Sequence, residues 1–265
     1  MTGAIGRAIG ERVRVGMHTR VPVRSLFCML LLLGAPIALA QNTAAKIDIA
    51  PFEDSIAQRM QACVICHGEK GGGIASSAFP RLAGQPADYL SAQLRAFREG
   101  SRIYAPMNYL MSRQSDVYFA EIAAYFSAQQ PDPRVIDAGR AMPFDRNAAD
   151  AGKLLMSEGR AAAGLPPCKA CHGERLSGML PGTPAIAGLQ RDFLIEQLGS
   201  WKSGTSRVSS GTPRPGSSEP NCMTRVVSLM SNADIVAAAT WLSLQPPEGP
   251  PAPPADKLPI ACGKS

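Results

Sequence analysis

Apolar positions along this chain recur at helical spacing, and they do so twice in the same arrangement. Tyr89, Leu90, Leu94 and Phe97 stand at offsets 1, 2, 6 and 9 from Asp88, and Phe193, Leu194, Leu198 and Trp201 stand at the same offsets from Asp192. Those offsets line one side of a helix. Asp88 and Asp192 read as N-caps, and Gly100 and Gly204 as helix stops. Each copy closes with another helical pattern, at about 116–129 with Val117, Ile122, Tyr125 and Phe126, and at about 232–244 with Ile235, Val236, Ala239 and Trp241. Each opens with a leading helix, at about 53–62 and about 148–158. Neither copy shows the apolar–polar alternation of a strand, so the pattern predicts an all-α chain of two similar domains.

The 265 residues divide accordingly. Residues 1–40 read as a signal peptide: a basic stretch from Arg7 to Arg24, an apolar run from Leu26 to Leu33, and Ala38-Leu39-Ala40 before a mature start at Gln41. The apolar run is short for a membrane span, which needs roughly 20 residues; an uncleaved anchor is the rival reading. The first domain is expected at 41–132, a polar linker at 133–147, the second domain at 148–245, and a tail at 246–265 carrying seven prolines. Removing residues 1–40 takes away five Arg and one Glu and lowers the formal charge from +6 to +2. The mature part has no Lys/Arg-rich run, which argues against nucleic acid as a partner.

Within each copy sits Cys-x-x-Cys-His-Gly: Cys63, Cys66 and His67 in the first, Cys168, Cys171 and His172 in the second. Two thiols at this spacing add to the vinyl groups of one haem while the adjacent imidazole binds its iron. The chemistry predicted is two covalently bound haem c groups, each wrapped by one all-α domain. A zinc module is the weak rival, because the two Cys pairs lie 101 residues apart, far beyond a zinc ribbon.

The opposite iron ligands follow by elimination. The mature chain has two histidines, both already used, so the sixth ligand is another residue type, water or a partner's side chain, and methionine is the common choice. Met107 precedes Tyr125 by 18 residues and Met223 precedes Trp241 by 18, and Tyr125 and Trp241 are equivalent in the final helices. This assigns Met107 and Met223, with Met111 and Met230 as rivals that read as lead-ins to the last helix. A Cys222 thiolate is a further alternative. Pro80 and Pro184, 13 and 12 residues after their histidines, are candidates to accept a hydrogen bond from the imidazole and fix its orientation. Arg102 and Arg207 follow the central helices and are candidates to pair with haem propionates. In an oxidising compartment Cys222 and Cys262 are free to form a disulfide, though sequence alone leaves that open.

The two motifs, Phe79-Pro80-Arg81-Leu82-Ala83-Gly84-Gln85, Tyr89-Leu90 with Gln93-Leu94, Ala123-Ala124-Tyr125-Phe126, and the approach from Ala151-Gly152-Lys153 through Glu158-Gly159-Arg160 to Pro167-Cys168 resemble the dihaem cytochrome c4 family. The resemblance spans roughly Ile56 to Gln245. It implies two class I cytochrome c domains related by approximate two-fold symmetry, periplasmic electron transfer, axial methionines at Met107 and Met223, and prolines backing the histidines at Pro80 and Pro184. Partners implied are redox proteins: a bc-type complex, a haem-copper oxidase or a periplasmic dehydrogenase, with room for peripheral association with a membrane. The long Ser/Gly/Pro-rich loop from Arg207 to Pro220 and the tail depart from the family pattern. An electron carrier, not an enzyme, is the main expectation. A dedicated electron-accepting subunit of a periplasmic dehydrogenase is the alternative, and a catalytic dihaem enzyme with an open iron site is a third.

Overall fold

The computed structural model describes residues 54–75, 77–204, 222–255 and 257–260. The expected signal peptide, Arg207 with its loop, and Cys262 lie outside the described residues. Those described fall in one compact unit and are helical, with isolated β-bridges but no paired strands among them.

The first repeat contains α1 (Ile56–Arg59), α2 (Gln61–His67), α3 (Ala87–Arg98), α4 (Ala105–Met111) and α5 (Asp116–Ser127). A joining helix α6 (Pro133–Arg140) follows. The second repeat contains α7 (Arg146–Ser157), α8 (Lys169–His172), α9 (Arg191–Lys202), α10 (Cys222–Ser228) and α11 (Asn232–Ser243). The central helices α3 and α9 begin earlier than the expected caps. Pro86 and Gln190 hold the N-cap positions without side-chain capping. Asp88 and Asp192 sit inside the first turn, where a negative charge still favours the helix dipole. Both helices stop before a glycine at positive φ, Gly100 at +72° and Gly204 at +71°. A side chain with a Cβ pays a steric cost in that conformation.

The core of the first repeat gathers Leu90, Leu94 and Phe97 of α3 against Phe119, Ile122, Ala123 and Phe126 of α5, with Met60 and Met111. Here the sequence reading errs by one register: Val117 is 71% exposed, whereas Phe119 is fully buried. The α5 segment is apolar on most of its circumference, so periodicity chooses the stripe poorly. Phe119, Ile122, Ala123 and Phe126 follow the i, i+3, i+4, i+7 rule once seen. In the second repeat α11 packs on α7 and α9 through Ile235, Ala238, Ala239 and Leu242. The α7–α11 crossing depends on Gly152, because a Cβ there would meet Ala237 O at 2.2 Å. Ser231 and Asp234 form a capping box at the start of α11. Asp234 also accepts from both terminal nitrogens of Arg160.

The stretch read as a polar linker, 133–147, is largely helical: Asp132 caps α6, Pro133 pre-sets its first turn, and Ile136 is buried. The Pro-rich tail is ordered from 246 to 255 and straps the second repeat. Ala252 N donates to Gly178 O at 2.8 Å, Leu180 N donates to Ala252 O at 2.8 Å, and Ser177 Oγ donates to Pro250 O at 2.9 Å. Cys222 is disulfide-bonded, with its partner cysteine outside the described residues.

The repeats meet along the segments that follow their histidines. Gln85 Nε2 donates to Ala185 O at 2.8 Å while its Oε1 accepts from Ala185 N at 2.9 Å. Reciprocally, Gln190 Oε1 accepts from the backbone N–H of Arg81 at 3.0 Å, and Arg81 is the repeat equivalent of Ala185. Arg81, 1% exposed, donates from Nη2 to Ala187 O at 3.0 Å.

Candidate haem sites

Helix α2 ends on His67 and α8 on His172, so each imidazole leaves a helix terminus immediately after its cysteine pair. Both are buried, at 8% and 6% exposure. His67 Nδ1 lies 2.8 Å from Pro80 O, and His172 Nδ1 lies 2.8 Å from Pro184 O. A carbonyl oxygen only accepts, so Nδ1 carries the proton and Nε2 keeps its lone pair. That tautomer is the one that binds a metal through Nε2. Burial lowers the pKa of His67 against the raising effect of the Pro80 contact, and Arg102 lowers it further. Burial likewise lowers that of His172 against the Pro184 contact. Both rings are therefore held neutral, and protons compete poorly for the lone pair.

Cys63, Cys66, Cys168 and Cys171 are unpaired and half-buried. Burial raises the Cys63 thiol, with Cys66 adding to the effect. Burial pushes Cys168 up to about 12, again with help from its neighbour Cys171. Thiols this protonated are weak ligands for free metal. Among the described residues no group of three or more His, Cys, Asp or Glu could hold a metal ion directly.

Met107 lies in α4 and Met223 in α10, so each stands on a seven-residue helix rather than in a loop. Both are half-buried against the core of their own repeat. The rivals are placed differently: Met111 is 8% exposed and Met230 5%, each packed inside a core cluster. Cys222, held in a disulfide, has no thiolate to offer.

The residues fit a haem on an independent count. Arg81 Nε and Trp201 Nε1 are buried without a hydrogen-bond partner. Leaving a buried donor unmade costs on the order of 1–3 kcal/mol, so each calls for an acceptor that the polypeptide does not supply. A porphyrin's propionate oxygens are acceptors of that kind. Phe79 covers one side of His67, edge-on at 6.2 Å between centroids, and itself meets Tyr104 at 6.2 Å.

Sequence reasoning missed the Gln85, Gln190 and Arg81 seam and the Trp201 donor. The signal available was polar side chains inside an otherwise apolar repeat, at Arg81 and Gln85. Arg102 was singled out, and it reaches the second repeat by donating from Nη2 to Gln197 Oε1. Arg207 lies outside the described residues.

Comparison with known proteins agrees with this architecture. The cytochrome c family profile matches residues 56–130. The chain is 33% identical over 186 residues to the thiosulfate dehydrogenase electron acceptor of Thiomonas intermedia, covering 70% of this chain and 79% of that protein. It is 31% identical over 181 residues to cytochrome c4 of Pseudomonas aeruginosa, covering 68% and 82%. Reduced recombinant cytochrome c4 from Pseudomonas stutzeri superposes with a TM-score of 0.58 at 27% identity, covering 71% of this chain and 95% of that one. With its paired haem motifs and helical fold, this chain belongs to the cytochrome c4 family: it is a dihaem c-type cytochrome that binds two haem c groups covalently and carries electrons between redox proteins, without being an enzyme.

Proposed function

We propose that the chain is exported and shuttles single electrons between respiratory-chain partners in the periplasm, with one haem held by each of two domains at 41–132 and 148–245. Cys63 and Cys66 hold the first haem through thioethers, and Cys168 and Cys171 hold the second. His67 and Met107 would hold the first iron, and His172 and Met223 the second. The observation that carries this reading is the matched pair of 2.8 Å contacts from His67 to Pro80 and from His172 to Pro184.

Bound haem supplies the reversible ferrous–ferric couple. The protein's part is to hold both coordination shells the same in either state. Pro80 and Pro184 fix ring orientation through Nδ1, and they have no N–H of their own to compete. Neutral, buried imidazoles need no deprotonation before they ligate. A thioether sulfur from Met107 or Met223 carries no charge and favours the ferrous state, which raises the potential. With His67, Met107, His172 and Met223 all engaged in holding the two irons, no substrate would need to bind for the group to exchange electrons.

Met107→Ala and Met223→Ala should each abolish the weak methionine–iron absorption band of one haem while leaving the other. An unchanged spectrum in either variant refutes that ligand. N-terminal sequencing of exported protein should start at Gln41.

The Thiomonas relative favours a second reading, in which the chain is the dedicated acceptor of a periplasmic dehydrogenase. Rapid-mixing reduction by thiosulfate dehydrogenase, compared with reduction by a bc-type complex, separates the two. Fast reduction by the dehydrogenase alone, with stable co-purification, selects the dedicated role.

A further inference from the structure

The helix that carries Met223 is fastened by a covalent link, where its counterpart in the first repeat is fastened by an amide. Asn108 follows Met107 directly and pins α4: its Nδ2 donates to Phe97 O at 2.6 Å and to Arg102 O at 2.8 Å, and its Oδ1 accepts from Tyr104 N at 2.8 Å. The residue after Met223 is Thr224, whose hydroxyl has one hydrogen to give where the Asn108 amide gives two. The residue before Met223 is Cys222, the first residue of α10, and it is disulfide-bonded. The position before Met107 is Pro106. A seven-residue helix is well short of the roughly 12–15 residues at which a helix becomes stable in isolation, so α10 depends on its anchors. Val227, fully buried, is the anchor toward its C-terminal end, and Cys222 is the one at its start.

The tail reaches both sides of this site. Behind His172, Gly178 N donates to His172 O at 2.9 Å and Gly178 O accepts from Ala252 N at 2.8 Å, so the tail holds the segment that leaves the histidine. Ala255 N donates to Met179 Sδ at 3.3 Å. Further on, Pro259 and Ile260 line one cavity with Arg225, Ser228 and Leu229, of which α10 supplies Arg225 and Ser228. The tail thus runs from the histidine side of the second site to the helix bearing Met223. Cys63, Cys66, Cys168 and Cys171 are unpaired, and Cys28 belongs to the expected signal peptide, so Cys262 is the partner that the mature chain offers to Cys222.

We propose that the C-terminal tail is a strap, closed by a Cys222–Cys262 disulfide, that positions Met223, and that a dithiol which opens it releases Met223 from the second haem site. Cys222 is a positioning residue, acting through Met223. The opening is thiol–disulfide exchange. One thiolate of the dithiol attacks a sulfur of the disulfide and breaks the S–S bond; its second thiol then closes the dithiol's own disulfide and releases the other cysteine. Two electrons and two protons pass from the dithiol to the cysteine pair, and the iron takes no part. Released at its start, α10 keeps Val227 in the core while Met223, one turn earlier, is no longer held in place. This inference rests on Met223 being the ligand of the second site.

The test uses the full dihaem protein. Dithiothreitol opens the disulfide, N-ethylmaleimide caps the thiols, ferricyanide returns both irons to the ferric state, and imidazole is titrated in while the methionine–iron band is followed. Met107→Ala and Met223→Ala spectra assign the band to each site. Apparent affinity for imidazole scales with the fraction of sites from which methionine is displaced, so opening should raise it at least about tenfold at the second site and leave the first unchanged. Cys222→Ser and, with Cys222 capped, Cys262→Ser should reproduce the change without any dithiol. Unchanged affinity in the opened protein, an equal change at both sites, or an effect of Cys222→Ser that Cys262→Ser does not share would overturn the proposal. Failure of the ligand assignment is read separately: Met223→Ala would then leave the second site's band intact with the disulfide closed, and the strap would have no ligand to position.

Discussion

The side-chain amide of Gln85 satisfies both backbone groups of Ala185, a residue 100 positions away in the chain. One glutamine thereby does for the second repeat what a strand neighbour does in a sheet, and Gln190 returns the contact to Arg81. The segments joined in this way are the ones whose preceding prolines face the two histidines. Haem orientation and repeat-to-repeat packing are consequently set by the same backbone.

Gln85→Ala should weaken that junction. It leaves the Ala185 N–H and C=O without partners in a buried seam, a cost of about 2–4 kcal/mol for the two groups together. Urea unfolding should show a lower midpoint. Gln85→Glu should also destabilise, since one amide donor is lost and a charge is buried. Wild-type stability in Gln85→Ala would mean that the seam contributes nothing.

Gly152→Val should be damaging, because Gly152 is buried where α7 crosses α11. The new side chain meets the Ala237 carbonyl and Trp241 Cβ, so α11 must move away from α7. Overpacking of this kind costs about 1–3 kcal/mol. Thermal unfolding should show a lowered Tm and loss of the second haem's methionine band before that of the first. A Tm equal to wild type contradicts the close crossing.

Asp234 gives a pH signature. Burial pushes its pKa up, but the Ser231 backbone and side chain, together with Arg160, outweigh that and hold it below the usual carboxylate range. A carboxyl depressed in the folded state contributes stability above its unfolded pKa of about 3.9 and loses it as pH falls through the folded value. Asp234→Asn should destabilise by about 1–2 kcal/mol at neutral pH, given that Arg160 is half-exposed. The loss should shrink as the pH drops below about 4. A deficit independent of pH would show that charge plays no part.

Truncation after Gln245 should expose the loop behind His172. Leu180 N–H loses its acceptor in Ala252, Gly178 O loses its donor, and Met179, 8% exposed, loses its cover. Hydrogen exchange at Leu180 should accelerate at least about tenfold, which corresponds to about 1.4 kcal/mol of protection. Unchanged protection would mean that the strap is only laid on the surface.

The local features were legible in the sequence because they are carried by short-range patterns. The duplicated offsets from Asp88 and Asp192 located α3 and α9. Pro80 and Pro184 were found by their distance from the histidines. What the sequence hid depends on partners far away. Helix α6 looked like a polar connector because Ile136 alone faces the core. Arg81 and Gln85 showed only as polar positions in an apolar stretch, and their role with Gln190 exists only once the two repeats meet. Val117 and Phe119 were exchanged because an almost wholly apolar helix does not say which stripe is inside.

The most direct test is peptide-resolved mass spectrometry of the exported protein, made in a host that matures c-type cytochromes. The account predicts one haem mass on the peptide carrying Cys63 and Cys66 and one on the peptide carrying Cys168 and Cys171, with each thiol consumed. A haem-free peptide at either position, or four thiols still open to alkylation, would contradict it.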